Sequence, residues 1–108
     1  MINKLGYLNG YHITYYATKI KTLKKERKYN EVIKLLLKIL EITEKESIKT
    51  GLGVAPWYYG QLSIIYKKTN DLEAEIKVLE RFKNQIHSPG VTPQKLLEKL
   101  IKLKIKKT

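Results

Sequence analysis

Apolar residues recur every three or four positions along most of this chain, which is the spacing of one face of an α-helix. Residues 1–10 lack such a period and contain the turn signal Asn9-Gly10, so we expect a poorly ordered lead there. We expect no strand. The pattern after the lead predicts five helices, at about residues 11–28, 30–50, 56–69, 71–87 and 93–107.

Residues that favour helix ends stand at the predicted boundaries. Asn30 is expected to cap the second helix, because its side chain accepts a bond from an unpaired amide. Asn70-Asp71 is expected to cap the fourth helix, with Glu73 spaced from Asn70 as in a capping box. Pro56 and the pair Thr92-Pro93 are typical of a first helical turn, where the missing amide proton costs nothing.

Two of the breaks between helices are alike and lie 43 residues apart. Each follows a basic helix end and precedes an acidic, apolar-rich helix, so that residues 29–33 correspond to residues 72–76. The same alignment superposes Leu23 on Tyr66. It indicates an internal helical repeat.

The second of these units resembles the tetratricopeptide repeat. It has an aromatic start at Trp57, a leucine and a small residue at Leu62-Ser63, and a tyrosine at Tyr66. A short turn at Asn70-Asp71-Leu72 then leads into a second helix. The run from Gly53 onwards is also similar to a group of short bacterial repeat proteins.

The resemblance implies one all-α domain over residues 1–108, in which two tetratricopeptide-like hairpins stack as a right-handed α–α superhelix under a C-terminal capping helix. Four side chains are expected in one core: Leu36, Leu62, Tyr66 and Leu79. Val32 and Glu75 stand where the family usually has a small residue, so looser or shifted packing is expected there. Two hairpins are few for a solenoid, so a partner, or a second copy in a homodimer, is expected to cover any face that the last helix leaves open.

The net charge of +12 lies at the two ends of the chain. Residues 1–28 carry +6 and residues 93–108 carry +5, whereas the residues between them carry +1. An AT-rich coding sequence would enrich lysine without any function behind it. That origin explains less well why the excess of lysine lies at the two ends, because it would enrich the centre of the chain in lysine as well.

The sequence contains no recognisable pattern of a catalytic or metal site, and no cofactor is expected. The two histidines, His12 and His87, are 75 residues apart in a chain with no cysteine and a single aspartate. Four carboxylates on the predicted helices are expected to be solvated: Glu44, Glu46, Glu73 and Glu75. We therefore expect a protein that is not an enzyme. With no hydrophobic leader and no membrane span, we expect it in the cytoplasm.

A basic surface with an aromatic end is the remaining candidate site. Trp57 shares one helical face with Ile64 and Lys68, and the resemblance implies that this face lines a concave groove for extended peptides. The first unit contributes lysines to the same groove. The predicted groove residues are Lys21, Lys24, Lys25, Trp57, Ile64, Lys67 and Lys68. The opposing interpretation is a plain solvated face, with Trp57 packed in or at the end of the core.

We expect a non-catalytic scaffold that binds an acidic segment or the C-terminus of a partner protein in this groove. The alternative is an accessory nucleic-acid binder whose basic first and last helices contact phosphates. Twenty lysines against two arginines weaken that alternative, since bidentate contacts to guanine favour arginine. Lysines that converge from the two units favour a peptide, whereas one continuous basic stripe along the terminal helices favours nucleic acid.

Overall fold

The computed structural model describes residues 5–107, which form two short strands followed by five α-helices. Strands β1 (Tyr7–Leu8) and β2 (Tyr11–His12) precede a 3-10 turn at Ile13–Tyr16. The helices are α1 (Ala17–Lys25), α2 (Tyr29–Thr50), α3 (Pro56–Lys68), α4 (Leu72–Lys83) and α5 (Val91–Lys107). The chain is mostly helical, so the all-α prediction is confirmed.

The start of the chain differs from the prediction. β1 and β2 pair as an antiparallel hairpin around Asn9 and Gly10, whose φ angles of 51° and 84° are both positive. Two such residues in succession join strands well, because the twist of the turn matches theirs. The Tyr16 hydroxyl donates to the Leu8 carbonyl over 2.7 Å and fixes the hairpin to the helices. The expected disorder is wrong for residues 7–10, as is the expected absence of strands; residues 1–4 lie outside the described part of the chain.

Three helix boundaries also differ from the predicted ones. α1 begins at Ala17 rather than near residue 11, because β2 and the 3-10 turn occupy the preceding positions. α4 ends at Lys83, four residues early, where the chain turns to run beside the α2–α3 loop and the Val54 amide donates to the Ile86 carbonyl over 2.8 Å. α5 begins at Val91, two residues early.

The turns that end α1 and α3 are built in the same way. After α1 the Lys28 amide donates to the Leu23 carbonyl, and after α3 the Asp71 amide donates to the Tyr66 carbonyl, each over 2.9 Å. In both turns the residue just before the donor has a φ of 58°, which closes the helix in a left-handed conformation. The corresponding residues are 43 positions apart, the separation found in the sequence.

The caps are formed by other residues than the predicted ones. Asn30 lies inside α2, whose N-cap Lys28 makes no side-chain cap bond. Asp71 caps α4 alone, accepting from the Ala74 amide over 3.1 Å, while Asn70 is the left-handed residue of the turn. The predictions of Asn30 and Asn70 as caps are wrong, because α2 begins one residue before Asn30 and Asn70 occupies the left-handed position that precedes the Asp71 cap.

The helices pack in sequence order around one core. α1 contacts α2, α2 contacts α3, α3 contacts α4, and α5 contacts both α4 and α3. Leu36, Leu62 and Leu79 are buried in one apolar cluster, and the partly buried Tyr66 packs against it. The expected common core is therefore confirmed. Within residues 5–107, no helix has the length and apolarity that crossing a membrane requires.

Two of the carboxylates predicted to be solvated make ionic contacts between helices instead, Glu44 partly buried and Glu75 fully buried. Glu44 of α2 accepts two bonds from Arg81 of α4, at 2.7 and 2.9 Å, and one from the Tyr59 hydroxyl at 2.7 Å. Glu75 of α4 is 3% exposed and lies 3.1 Å from the ammonium of Lys99 in α5. The prediction failed for both because their partners come from helices distant in sequence.

Candidate functional site

One face of α3 remains accessible between its contacts with α1 and α5. Trp57, Gln61, Ile64 and Lys68 follow one another at spacings of four, three and four residues, so they lie along a single line on the helix. Trp57 and Gln61 are half-buried, Ile64 is 37% exposed and Lys68 is exposed. The structure therefore holds three of the predicted groove residues on one accessible surface.

Lysines from α1 approach this face from one side. The Lys24 ammonium donates to the Gln61 side-chain oxygen, which ties α1 to α3. Burial lowers the pKa of Lys24, and the positive charges of Lys68 and Lys21 lower it further. Lys21 and Lys68 are thus both close enough to Lys24 to repel its charge, and we refer to the three residues as the lysine cluster.

The lysine cluster has no carboxylate to balance it. Among the described residues, none of its three ammonium groups lies within 4.0 Å of an aspartate or glutamate oxygen. Lys24 uses a neutral amide as its partner instead. A cluster of this kind has a favourable place for an anion, because an added negative charge relieves the repulsion among the lysines.

The other side of α3 is covered by α5. A side chain at Gly60 would begin 3.4 Å from Leu96, so α5 lies directly against this part of the helix. Lys67 turns to the same side, because adjacent helical positions differ by about 100° in direction. It lines a cavity of about 430 Å³ with Lys99, Lys102 and Lys106 of α5. The structure thus separates Lys67 from Lys68, which sequence analysis places in one groove.

Trp57 stands at the opposite end of α3 from the lysine cluster. Its ring meets that of Tyr58 edge to face at 5.2 Å and packs against the core, while part of it stays accessible. Eleven residues separate Trp57 from Lys68, which is about 16 Å along the helix axis. An apolar anchor and a basic end are therefore available to an extended chain of about five residues.

Two further residues bear on the predicted groove. Lys25, a predicted groove residue, is exposed on α1 and belongs to no ion pair with a described carboxylate. Gln61 is missing from the predicted groove, although it contacts Lys24 directly. Its spacing of four residues from Trp57 is the signal that places it on this face.

The histidines occupy structural positions. His12 contacts the Thr14 hydroxyl at 2.9 Å, and His87 stacks on Phe82 with ring centroids 4.6 Å apart. No group of three or more His, Cys, Asp or Glu side chains in residues 5–107 is arranged to hold a metal ion. The chemistry that the accessible α3 face offers is reversible binding, through ammonium groups at one end and apolar side chains at the other.

No known protein family matches this chain, and no curated protein or solved structure is significantly similar to it.

Proposed function

We propose that this protein is a non-catalytic interaction module that binds an acidic segment, or the free C-terminus, of a partner protein along the accessible face of α3. The unbalanced lysine cluster of Lys21, Lys24 and Lys68 is the observation that carries the proposal. Trp57 and Ile64 supply the apolar contacts. A cytoplasmic location belongs to the same proposal, because a chain without cysteine suits a reducing compartment.

The fold proposed for this module is a right-handed superhelix of two tetratricopeptide-like hairpins, α1–α2 and α3–α4, with α5 as the cap. The matching turns at residues 27–28 and 70–71 support it, since both hairpins close with the same hydrogen bonds. The contact of α5 with both α3 and α4 also supports it. In such a stack the first helices of successive hairpins share one surface, and here that surface carries the lysine cluster.

The charge and type of the residues favour a carboxylate ligand. Lysine presents a compact charge on a flexible stem, so three lysines adapt to carboxylates at several positions along a peptide. Binding would also raise the pKa of Lys24 back towards its ordinary value, because the ligand offsets the charges of Lys21 and Lys68. Affinity should accordingly fall as salt concentration rises.

The test uses Trp57, the single tryptophan of the chain, as an internal reporter. Its fluorescence is followed while three peptides of equal length are added: an acidic peptide with a free C-terminus, the same peptide amidated, and a neutral one. We expect saturable binding of the acidic peptide. The difference between the free and amidated forms tells whether the terminal carboxylate contributes.

The matched variants are Lys68→Glu and Lys67→Glu, which make the same change at adjacent residues on different sides of α3. Lys68→Glu should lower the affinity for the acidic peptide by about tenfold or more, whereas Lys67→Glu should lower it much less. Equal losses in both variants would mean that general positive charge is responsible. Tighter binding of a DNA duplex than of any peptide, weakened alike by both variants, would favour the nucleic-acid alternative and overturn the proposal.

A further inference from the structure

The side of α5 that faces away from the other helices carries large apolar residues. Val91, Ile101 and Ile105 are 68%, 60% and 70% exposed. Ile101 and Ile105 are one turn apart and therefore adjacent on the surface. Leu97, one turn before Ile101, is partly buried and extends the same row towards the core.

The inner side of α5 already binds an amphipathic helix through its glutamates. Three of its lysines pair with three glutamates of α4: Lys99 with Glu75 at 3.1 Å, Lys104 with Glu80 at 3.2 Å and Lys107 with Glu73 at 3.7 Å. Between these pairs, apolar residues of the two helices pack in the common core. α4 thus shows which kind of helix suits the lysine and apolar pattern of α5.

A second row of α5 lysines borders the isoleucines, and two of its members, Lys102 and Lys106, also line the cavity that α5 forms beside Lys67. Lys95, Lys102 and Lys106 make no ion pair with any carboxylate in residues 5–107. They are seven and four residues apart, so they form one row about 16 Å long beside Ile101 and Ile105. Glu98 lies on this side too, where the Gln94 side chain donates to it over 3.2 Å.

We propose that this outer face of α5, made of Val91, Ile101, Ile105 and the lysine row, binds an acidic amphipathic helix of a partner protein. The occupant would place apolar residues on the isoleucines and glutamates or aspartates against the lysines, as α4 does on the inner side. Its sequence would have apolar positions at i, i+3 or i+4, and i+7, flanked on one side by acidic residues.

A second copy of this chain fits the face less well. Two α5 helices in an isologous contact would bring their lysine rows together, and like charges at an interface oppose association. The glutamates that α4 of a second copy could offer are already paired with its own α5. Complementary charge therefore favours a different, acidic protein.

The experiment uses the full chain and a fluorescently labelled designed peptide with leucine along one helical face and glutamate beside it. Fluorescence anisotropy measures its binding, and two control peptides have the same composition in scrambled order or lysine in place of glutamate. We expect the designed peptide to bind and both controls to bind at least about tenfold more weakly.

The variants separate this face from the α3 groove. Ile101→Ser with Ile105→Ser should weaken the peptide by about tenfold or more, because exposed anchors at the centre of an interface carry most of its affinity. Ile48→Ser is the matched control, since Ile48 is 77% exposed on α2, and it should leave affinity unchanged. Circular dichroism checks that each variant keeps its helices.

Three results would overturn the inference. Equal affinities of the scrambled and the ordered peptide would make charge alone responsible. Loss of binding in Lys68→Glu but not in the isoleucine variants would assign the peptide to the α3 groove. A wild-type dimer in sedimentation that becomes monomeric in the isoleucine variants would identify a second copy as the occupant. Failure here leaves the α3 proposal intact, because the two surfaces share no residue.

Discussion

Replacing Lys99 with alanine tests whether α5 is held to the hairpins by its one buried charge pair. The Lys99 ammonium lies 3.1 Å from Glu75 and donates to the Ser63 hydroxyl over 2.6 Å, so it joins α5 to both α4 and α3. Glu75 is 3% exposed, whereas the side chain of Lys99 is 30% exposed. Removal of Lys99 therefore leaves a buried carboxylate, whereas removal of Glu75 leaves an ammonium group that can reach solvent.

The expected costs follow from this difference in exposure. Lys99→Ala leaves a carboxylate in the interior without its cation, which should lower the free energy of unfolding by about 3 kcal/mol. Glu75→Ala leaves a lysine that can extend to solvent, so the loss should be about 1 kcal/mol. The double variant should resemble Glu75→Ala, which corresponds to a coupling energy of about 3 kcal/mol.

Urea unfolding followed by circular dichroism measures these differences. Lys102→Ala is the matched control, because this α5 lysine is exposed and makes no ion pair with the described carboxylates, and it should change stability by less than about 0.5 kcal/mol. A loss of about 3 kcal/mol is a large part of the 5–15 kcal/mol typical of a small domain. If Lys99→Ala costs no more than Glu75→Ala, the buried carboxylate does not depend on Lys99 and the reasoning fails.

Three further predictions concern the backbone and one buried tyrosine. Arg27→Gly should stabilise the protein by about 1 kcal/mol and Asn70→Gly by less, since both have a φ of 58° but asparagine tolerates it better; urea unfolding measures both. Gly53→Ala should lower the thermal midpoint, because its side chain would lie 2.9 Å from the backbone of the α4–α5 loop at a φ of 96°. Burial, and then the hydrogen bond to Glu44, raise the pKa of Tyr59, so the folded state keeps this proton longer than the unfolded state. Stability should therefore fall as pH rises above about 10, and less so in Tyr59→Phe, as urea midpoints across that range would show.

Local sequence signals predict the five helices, but the prediction from them is wrong at the start of the chain. Asn9-Gly10 is a strong hairpin signal, and the structure uses it for β1 and β2. Sequence analysis predicts only a break before a helix there, because the flanking strands have two residues each, too few to show the alternation of apolar and polar residues that marks a strand. The prediction of a cap at Asn70 failed for a similar reason, since asparagine is favoured both as a helix N-cap and in the left-handed position that precedes the cap here.

The ion pairs between helices could not be predicted from the sequence, because they depend on contacts between distant residues. Glu44 and Arg81 are 37 positions apart, and nothing in their own neighbourhoods distinguishes them from surface residues. The lysine cluster was more accessible to prediction, since the alignment of the two units superposes Lys21 on Ile64 and so places it on the face that carries Lys68. That alignment carries no information about α5, which is why it left Lys67 on the same side as Lys68.

The distribution of charge in the fold bears on why the chain is so basic. Of the three α4–α5 pairs, only Lys99–Glu75 is buried, while Glu80 and Glu73 have side chains that are 45% and 83% exposed. Exposed pairs contribute at most about 1 kcal/mol each, so folding requires few of the lysines in α5. The lysine cluster on α1 and α3 opposes folding, because its members repel one another and one of them is partly buried. A coding bias would add lysines without regard to partners, but it gives no reason for them to meet across two helices that are distant in sequence. The anionic ligand that we propose would give that reason, since the repulsion that costs stability in the free protein would be the source of affinity in the complex.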